Sequence, residues 1–490
     1  MKKLLVPLMA ILMTACNSGG SSTPSGTTVS SNFTNAVSQF APQANQQFQA
    51  LESAPESAVI SVDDNHKYQT ITGFGAALSD SSAYLLNLMP LNQRTQLLNQ
   101  LFNPQTGLGI SYLRLTISAS DFSLTNYTYD NMPAGMTDPY LLNFSIAHDE
   151  SYIIPILQQI LAINPNLKII MSPWSAPGWM KTNDSILGDL GGDSESAAPN
   201  LRGYLKSDYY QSYANYFTNI VRAYQVNGIT INAMTIQNEP LYSPTGYPGL
   251  YMDSHTQSDF LESYLVPTFI NNNITTQVYV YDHNWDREDY PDYVLGQLQS
   301  QAESLVAGTA FHCYGGDVTA QTTLHDKYPN KQIMVTECSG GTWTGDFTQS
   351  LISDMQGIYI GNLNNWGTGT LKWNLVLDQN NGPVNPTLGG CLTCYGIVNV
   401  DTSNNYQVRY NEDYYATGIM SKNLLPGAVR IKVSSNSDNL IATGVINPNG
   451  SHAIVILNQS TTISQPFALK WNDQYITATI PAGTVAVYTW

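Results

Sequence analysis

The chain has 490 residues, with Lys+Arg 19 against Asp+Glu 36 for a net charge of −17, and only 11% of its residues are charged. At roughly 150 residues per domain, this length allows two or three domains, or one large barrel with an appendage. The acidic balance lacks the basic footprint of a nucleic-acid binder and disfavours polyanionic substrates, while 42% hydrophobic residues exclude a wholly disordered chain.

The chain opens with Met1-Lys2-Lys3 and an apolar run, Leu4 to Met13, too short to span a bilayer but of the length of a signal-peptide core. Met13-Thr14-Ala15-Cys16 resembles a bacterial lipoprotein signal, in which Cys16 is acylated and becomes the new N-terminus; an ordinary cleaved signal is the alternative. From Ser18 to Ser31 every residue but Val29 is Gly, Ser, Thr or Pro, the composition of a flexible tether. The expectation is an exported protein, either an outer-membrane lipoprotein or secreted.

From about residue 70 to 378, short apolar runs alternate with helical stretches. The expected strands are Thr70–Ala76, Gly109–Ser118, Leu167–Trp174, Ile231–Glu239, Thr276–Asp282, Val306–Tyr314, Gln332–Cys338 and Leu371–Asp378. Several are almost continuously apolar, as parallel strands covered on both faces are. Tyr84–Phe102 and Tyr209–Val226 read as amphipathic helices, the second with Tyr213, Phe217, Ile220 and Tyr224 on one face. The pattern predicts an α/β fold, a (β/α)8 barrel; a doubly wound open sheet is the alternative, without a Gly-rich phosphate loop to support it.

After about Pro426 come short alternating runs: Val429–Val433, Leu440–Ile446, His452–Asn458, Phe467–Trp471, Tyr475–Ile480 and Val485–Trp490. They predict an appended antiparallel β-sandwich, with Ala58–Val62 as one more strand able to pair with it. The expected organisation is 1–16 signal segment, 17–40 tether, 41–69 a segment contributing to the sandwich, 70–410 the catalytic barrel and 411–490 the C-terminal sandwich.

In a barrel, function gathers at the C-terminal ends of the strands. Two runs end in a carboxylate with similar grammar: Met234-Thr235-Ile236-Gln237-Asn238-Glu239-Pro240 on strand four and Met334-Val335-Thr336-Glu337-Cys338 on strand seven. Two carboxylates facing across the mouth are what glycoside hydrolysis needs, one to protonate the departing oxygen and one to attack or stabilise the anomeric carbon. Each glutamate alone could instead be a solvated loop residue. Asn238 is either a turn residue before Pro240 or a hydrogen-bond partner of the sugar 2-hydroxyl. Arg114, inside the apolar second strand, needs a buried partner; a catalytic carboxylate is the natural one, and a structural salt bridge to some other acid is the alternative. Asp121 closes the same segment. Trp174, Trp179 and Trp373 offer faces for a pyranose ring, although Trp is also a common core residue. His312 and Tyr314 end strand six, where the tyrosine OH can steady a carboxylate. Tyr 31 outnumbers Phe 13 and Trp 8 together, which suits a neutral hydroxylated ligand.

Seven histidines show no HExxH or similar spacing, so no catalytic metal and no cofactor are expected. Cys391-Leu-Thr-Cys394 can close a small disulfide in an oxidising compartment, while Cys313 and Cys338 read as buried thiols. No obligate protein partner and no nucleic-acid partner are expected; contact with a membrane would come through Cys16 or a lipid substrate.

These blocks together resemble glycoside hydrolase family 30, the glucosylceramidase family. The resemblance is carried by Gly73-Phe74-Gly75-Ala76-Ala77-Leu78-Ser79-Asp80, by Asp121-Phe122-Ser123 with Tyr127-Thr128-Tyr129, and by Ser172-Pro173-Trp174-Ser175-Ala176-Pro177-Gly178-Trp179. Thr235 to Pro240, His312 with Tyr314, Thr336-Glu337, and Tyr414-Tyr415 followed by Pro426 to Ile431 add to it. The resemblance implies a retaining β-glycosidase with Glu239 as acid/base and Glu337 as nucleophile, and Asp121, Trp179, Asn238 and Trp373 at positions that hold a glucose ring. It implies glucosylceramide as first substrate, with an endo-β-1,6-glucanase next and a xylanase further off. Ala76, Ser118-Ala119-Ser120 and Cys313 depart from the usual pattern at the rim of the pocket. On the reading of a paired acid and nucleophile, Glu337 starts ionised and Glu239 starts protonated. A sugar-binding surface lipoprotein and a metal-dependent hydrolase are the rival readings.

Overall fold

The computed structural model describes residues 26–50, 58–188, 203–385 and 389–490. The signal segment, Cys16 and the first part of the tether lie outside them. Among the described residues no helix is long and apolar enough to cross a membrane.

Eight strands close into a parallel barrel in chain order: Gly73–Leu78, Tyr112–Ile117, Lys168–Pro173, Ala233–Thr235, Gln277–Asn284, Val306–His312, Gln332–Glu337 and Gly367–Lys372. They are buried almost throughout, which is why their sequences show no alternation. Tyr112, Ile170, Ala233, Tyr279, Ala310, Met334 and Leu371, one from each strand after the first, form a single buried cluster. At that level the first strand carries Gly75, where a Cβ would stand 1.8 Å from the Tyr112 carbonyl oxygen. The interior is thus plugged, and a ligand can enter only above it.

Three elements differ from expectation. The fourth strand stops at Thr235 rather than running to Glu239; beyond it the backbone is held by Asn238 N–H to the Pro173 carbonyl (2.8 Å) and Glu239 N–H to the Asp282 carbonyl (2.9 Å). The eighth strand lies earlier, at Gly367–Lys372, because Thr368 and Thr370 bury their hydroxyls on backbone carbonyls of Ile333 and Ile358, so a polar-looking run is core. Val376–Asp378 belongs to a separate three-stranded sheet with Val398–Asp401 and Gln407–Tyr410. The helix expected over Tyr84–Phe102 is two, Asp80–Leu88 and Leu91–Phe102. Pro90 lacks an N–H and pushes Met89 out of the helical region, while the Ser79 hydroxyl caps the first helix. Tyr210–Val226 is a helix as expected, with Tyr213, Phe217, Ile220 and Tyr224 buried.

The antiparallel sheet of the second unit is built from Val429–Ser435, Leu440–Ile446, His452–Asn458, Gln465–Trp471, Gln474–Ile480 and Thr484–Thr489. Val59–Thr70 joins it between Val429–Ser435 and Gln465–Trp471 before leading into the barrel. Its core includes Ile60, Ile431, Ile454, Phe467, Leu469 and Tyr488. The tether expected over 17–40 is shorter than its composition suggests. Thr28–Thr34 is a strand paired with Thr484–Thr489, because Val29 and Ser31 alternate inward while their neighbours face out. The helix Glu412–Asn423, within the segment assigned to the sandwich, packs on the first barrel strand and on the helix Phe347–Asp354.

Cys313 and Cys338 are not separate thiols. The sixth and seventh strands are neighbours, their ends bring the two Cα atoms to 5.4 Å, and the sulfurs are bridged. Twenty-five residues separate them in the chain, and no local pattern announces that proximity. Cys391 and Cys394 form a second disulfide.

Candidate active site

The site grows from one buried cation. Arg114 points from the second strand into the barrel above the apolar plug, fully buried. Its Nη1 donates to Glu337 Oε2, and its Nη2 donates to Asn238 Oδ1 at 2.7 Å and to Asp282 Oδ2 at 2.9 Å. Its guanidinium carbon lies 4.9 Å from the Trp174 ring centre and 5.5 Å from that of Trp373, and the two indoles stack at 5.0 Å. A buried cation survives only with such compensation.

Asp282, at the end of the fifth strand, is the counterweight. Besides Arg114, its Oδ2 accepts from Ser172 Oγ (3.0 Å) and Thr235 Oγ1 (2.8 Å). Its Oδ1 accepts from Thr336 Oγ1 (2.6 Å) and His312 Nε2 (3.0 Å). Burial alone would raise its carboxyl, but the Arg114 and His312 charges and these hydrogen bonds hold it far below the usual range.

His312 bridges the carboxylates. With Nε2 on the ionised Asp282, Nδ1 lies 3.1 Å from Glu239 Oε1 and 4.0 Å from Glu337 Oε1. Burial disfavours its charge, yet the charges of Glu337 and Asp282 and the bonds to Asp282 and Glu239 raise it to about 9. Burial also pushes Glu239 up, but the positive charges of His283, His312 and Arg114 and the bond from His312 outweigh it and leave Glu239 below its ordinary value. Both directions favour the His312 side for the proton of the His312–Glu239 hydrogen bond. The sequence-based expectation of a protonated Glu239 lacked these neighbours. Glu337 is held above its ordinary value, by burial first and by the nearby Glu239 and Asp282 charges, against His312 and Arg114.

Tyr314, exposed at the rim, donates its OH to Glu337 Oε1 at 3.0 Å and lies 3.1 Å from Ser339 Oγ. One ligand atom each from Glu239, His312 and Glu337 lie within 4.8 Å of one another, close enough in principle for a cation. Arg114 and Tyr314 already occupy the Glu337 oxygens, and His312 Nδ1 is engaged with Glu239, so this donor set is committed to hydrogen bonds. Glu239 adopts φ 45°, a left-handed conformation uncommon outside glycine and concentrated at functional sites.

Residues 71–387 match the glycosyl hydrolase family 30 TIM-barrel domain, and 427–488 match the family's beta sandwich domain. The chain belongs to glycoside hydrolase family 30. A Trichoderma harzianum endo-1,6-beta-D-glucanase, BGN16.3, is 35% identical over 424 residues, covering 82% of this chain and 81% of that protein. The putative glucosylceramidase 2 of Caenorhabditis elegans is 30% identical over 460 residues, covering 90% and 85%. The solved endo-beta1,6-glucanase BT3312 superposes with a TM-score of 0.82 at 32% identity, covering 94% of this chain and 99% of that one. This family 30 protein is therefore a glycosidase.

Within the family 30 site, Arg114, Asn238, Glu239, His312, Tyr314 and Glu337 converge as one network. Asp121 and Trp373 adjoin it: the Trp373 ring N–H lies 3.4 Å from Asp121 Oδ2, and burial with the Glu337 charge raises the Asp121 carboxyl well above its usual value. Trp179 stands to one side, its ring N–H donating to the Asp130 carbonyl and its edge meeting Tyr209. Sequence reasoning missed Asp282, Ser172, Thr235 and Thr336 as members. For Asp282 a signal existed, since it closes an apolar run just as Glu239 and Glu337 do. The hydroxyls carried none.

Proposed function

We propose that this family 30 glycosidase is a retaining endo-β-1,6-glucanase. Glu337 attacks C1 of a bound glucosyl unit while Glu239 protonates the departing O6. The C1–O6 bond breaks as the Glu337–C1 ester bond forms. In the second step Glu239 takes a proton from water, whose oxygen displaces Glu337 from C1. The observation that carries the mechanism is the closeness of the two carboxylates, with oxygens within 4.8 Å. This fits the short spacing, about 5–5.5 Å between carboxyl groups, of retaining enzymes rather than the roughly 6.5–9.5 Å that leaves room for an inverting water.

His312 supplies the proton bookkeeping. Shifting one proton along the 3.1 Å bond from Nδ1 to Glu239 gives a neutral acid without changing the charge of the site. Arg114 and Tyr314 orient Glu337 and stabilise its ionised form until the ester neutralises it. Asn238, fixed by Arg114, is placed to meet the sugar 2-hydroxyl, and Asp121, Trp373 and Trp179 are proposed to line the sugar subsite.

The substrate order differs from the sequence-based one, which puts glucosylceramide first. Endo-1,6-beta-D-glucanases of three fungi are 35%, 34% and 33% identical, whereas glucosylceramidases of worm and mouse range from 30% to 27%. The proposal extends to location: an exported enzyme, anchored through Cys16 or secreted. The leader supports this, as do two disulfides, which persist in oxidising compartments.

Hydrolysis of β-1,6-glucan, glucosylceramide and xylan, followed side by side, tests the substrate. Oligosaccharides from β-1,6-glucan are expected, and turnover of glucosylceramide alone would reverse the reading. Proton NMR of the first product is expected to show the β-anomer; an α-anomer would remove the retaining mechanism. Glu337→Gln should lower kcat by about 10³-fold or more. Glu239→Gln should keep far more activity on an activated aryl β-glucoside than on glucan, because a good leaving group needs no acid.

A further inference from the structure

We propose that the Cys313–Cys338 disulfide is a positioning element of the active site: it holds Tyr314 and Glu337 together, so that the enzyme is fully active only when oxidised. The inference rests on Glu337 being the nucleophile.

The argument is one of connectivity. The last backbone partners of the sixth and seventh strands are His312 and Glu337, after a register shift between Phe311 and His312 that leaves Thr336 as an extra residue. Such a bulge weakens the ladder where the site begins. Past it the strand pairing ends, with the Cys313 and Cys338 Cα atoms still 5.4 Å apart. The sixth-strand end is tied backward to the fifth, through Tyr314 N–H on Asn284 Oδ1 (3.1 Å) and Trp285 N–H on the Gly315 carbonyl (3.0 Å). The seventh-strand end is tied forward to the eighth, through Trp373 N–H on the Cys338 carbonyl (3.1 Å). Among the described residues, the two ends from Cys313 and Glu337 onward are joined by the S–S bond and by the Tyr314 hydroxyl on Glu337 and Ser339. The covalent link therefore fixes the distance that the Tyr314–Glu337 bond requires. Because Cys338 also anchors Trp373, the same link steadies one wall of the proposed sugar subsite.

The bridge is reachable. Cys313 is partly exposed, and both cysteines line a cavity of about 400 Å³ together with Tyr314, Ser339 and Trp343. A small dithiol supplies two electrons and two protons, leaving Cys313 and Cys338 as thiols and itself as a cyclic disulfide.

The test compares wild type with Cys313→Ser/Cys338→Ser, both shown to be folded by circular dichroism and melting. The double variant is expected to lose about tenfold or more in kcat on β-1,6-glucan with KM within about twofold, the pattern of a bond that matters in the transition state. Its acid limb should move to higher pH, because Glu337 loses a donor that favours its ionised form. Dithiothreitol should cause the same loss in a Cys391→Ser/Cys394→Ser background, measured against its own untreated rate, and no further loss in Cys313→Ser/Cys338→Ser. Unchanged kcat in the double variant, even with a lower melting temperature, would overturn the proposal, as would a loss confined to KM. Undiminished turnover by Glu337→Gln would instead overturn the assignment of the nucleophile, so the two failures are read separately.

Discussion

Arg114 concentrates the physics of the site in one side chain. It is buried and donates to both Glu337 and Asp282. Arg114→Met should destabilise by about 3–5 kcal/mol, since it strands two carboxylates in the interior; a melting temperature equal to wild type would refute this account. The pH profile follows from the same network. Below the raised value of Glu337 the proposed nucleophile is protonated, and above about 9 the His312–Glu239 pair loses the proton proposed to serve the leaving group. kcat/KM should be bell-shaped, its acid limb above that of an ordinary glutamate near 4.5 and its alkaline limb near 9. His312→Gln should displace the alkaline limb, and an unmoved limb would dissociate His312 from the proton supply. Glu239, Glu337, Arg114 and His312 were legible in the sequence because a charge at the end of, or inside, an apolar barrel strand has few explanations. Ser172, Thr235 and Thr336 were not, since a hydroxyl in a strand says nothing until the carboxylate it serves is in view.

At the scale of elements, apolar runs read well and polar ones poorly. Seven strand positions followed from hydrophobic runs, whereas Gly367–Lys372 hid behind Gly and Thr, and Thr28–Thr34 behind a composition of linker type. The latter carries a prediction. Val29 is 1% exposed, and Phe40, just beyond the strand, packs on Tyr414 and Tyr415 of the helix Glu412–Asn423. Deleting residues 26–40 uncovers the edge of Thr484–Thr489 and removes both contacts. Burial of Val29 alone stabilises by ~2 kcal/mol, so the melting temperature should fall by about 2 °C or more. An unchanged melting curve would show the strand to be dispensable. Activity of the folded fraction should be unaffected, because no residue of 26–40 belongs to the hydrogen-bond network described around Glu239 and Glu337.

For the whole molecule, the barrel-plus-sandwich plan was readable from the alternation of runs, while the buried charges behind the barrel wall were not. Lys372 is fully buried and meets Asp354 at 2.7 Å and Asp413 at 3.1 Å, with Glu412 beside them. Burial raises Asp413 to about 7 and Glu412 well above its usual value; burial likewise raises Asp149, amid tyrosines, to about 6. Groups raised on folding contribute stability that is complete below their unfolded values near 4 and is lost as pH rises through about 6 to 7. Asp282, held low, acts oppositely and loses its contribution as pH falls below about 4. The melting temperature should therefore rise as pH falls from 8 to 5 and drop again below 4; a monotonic rise with pH would contradict it. The pairing of Thr28–Thr34 with Thr484–Thr489 reaches into biosynthesis as well. Thr484–Thr489 lies between Thr28–Thr34 and His452–Asn458, so this sheet closes only after segments far apart in the chain have both been made. Within the barrel, by contrast, each strand from Tyr112–Ile117 to Gln332–Glu337 pairs with the strands that precede and follow it in the barrel order of the chain.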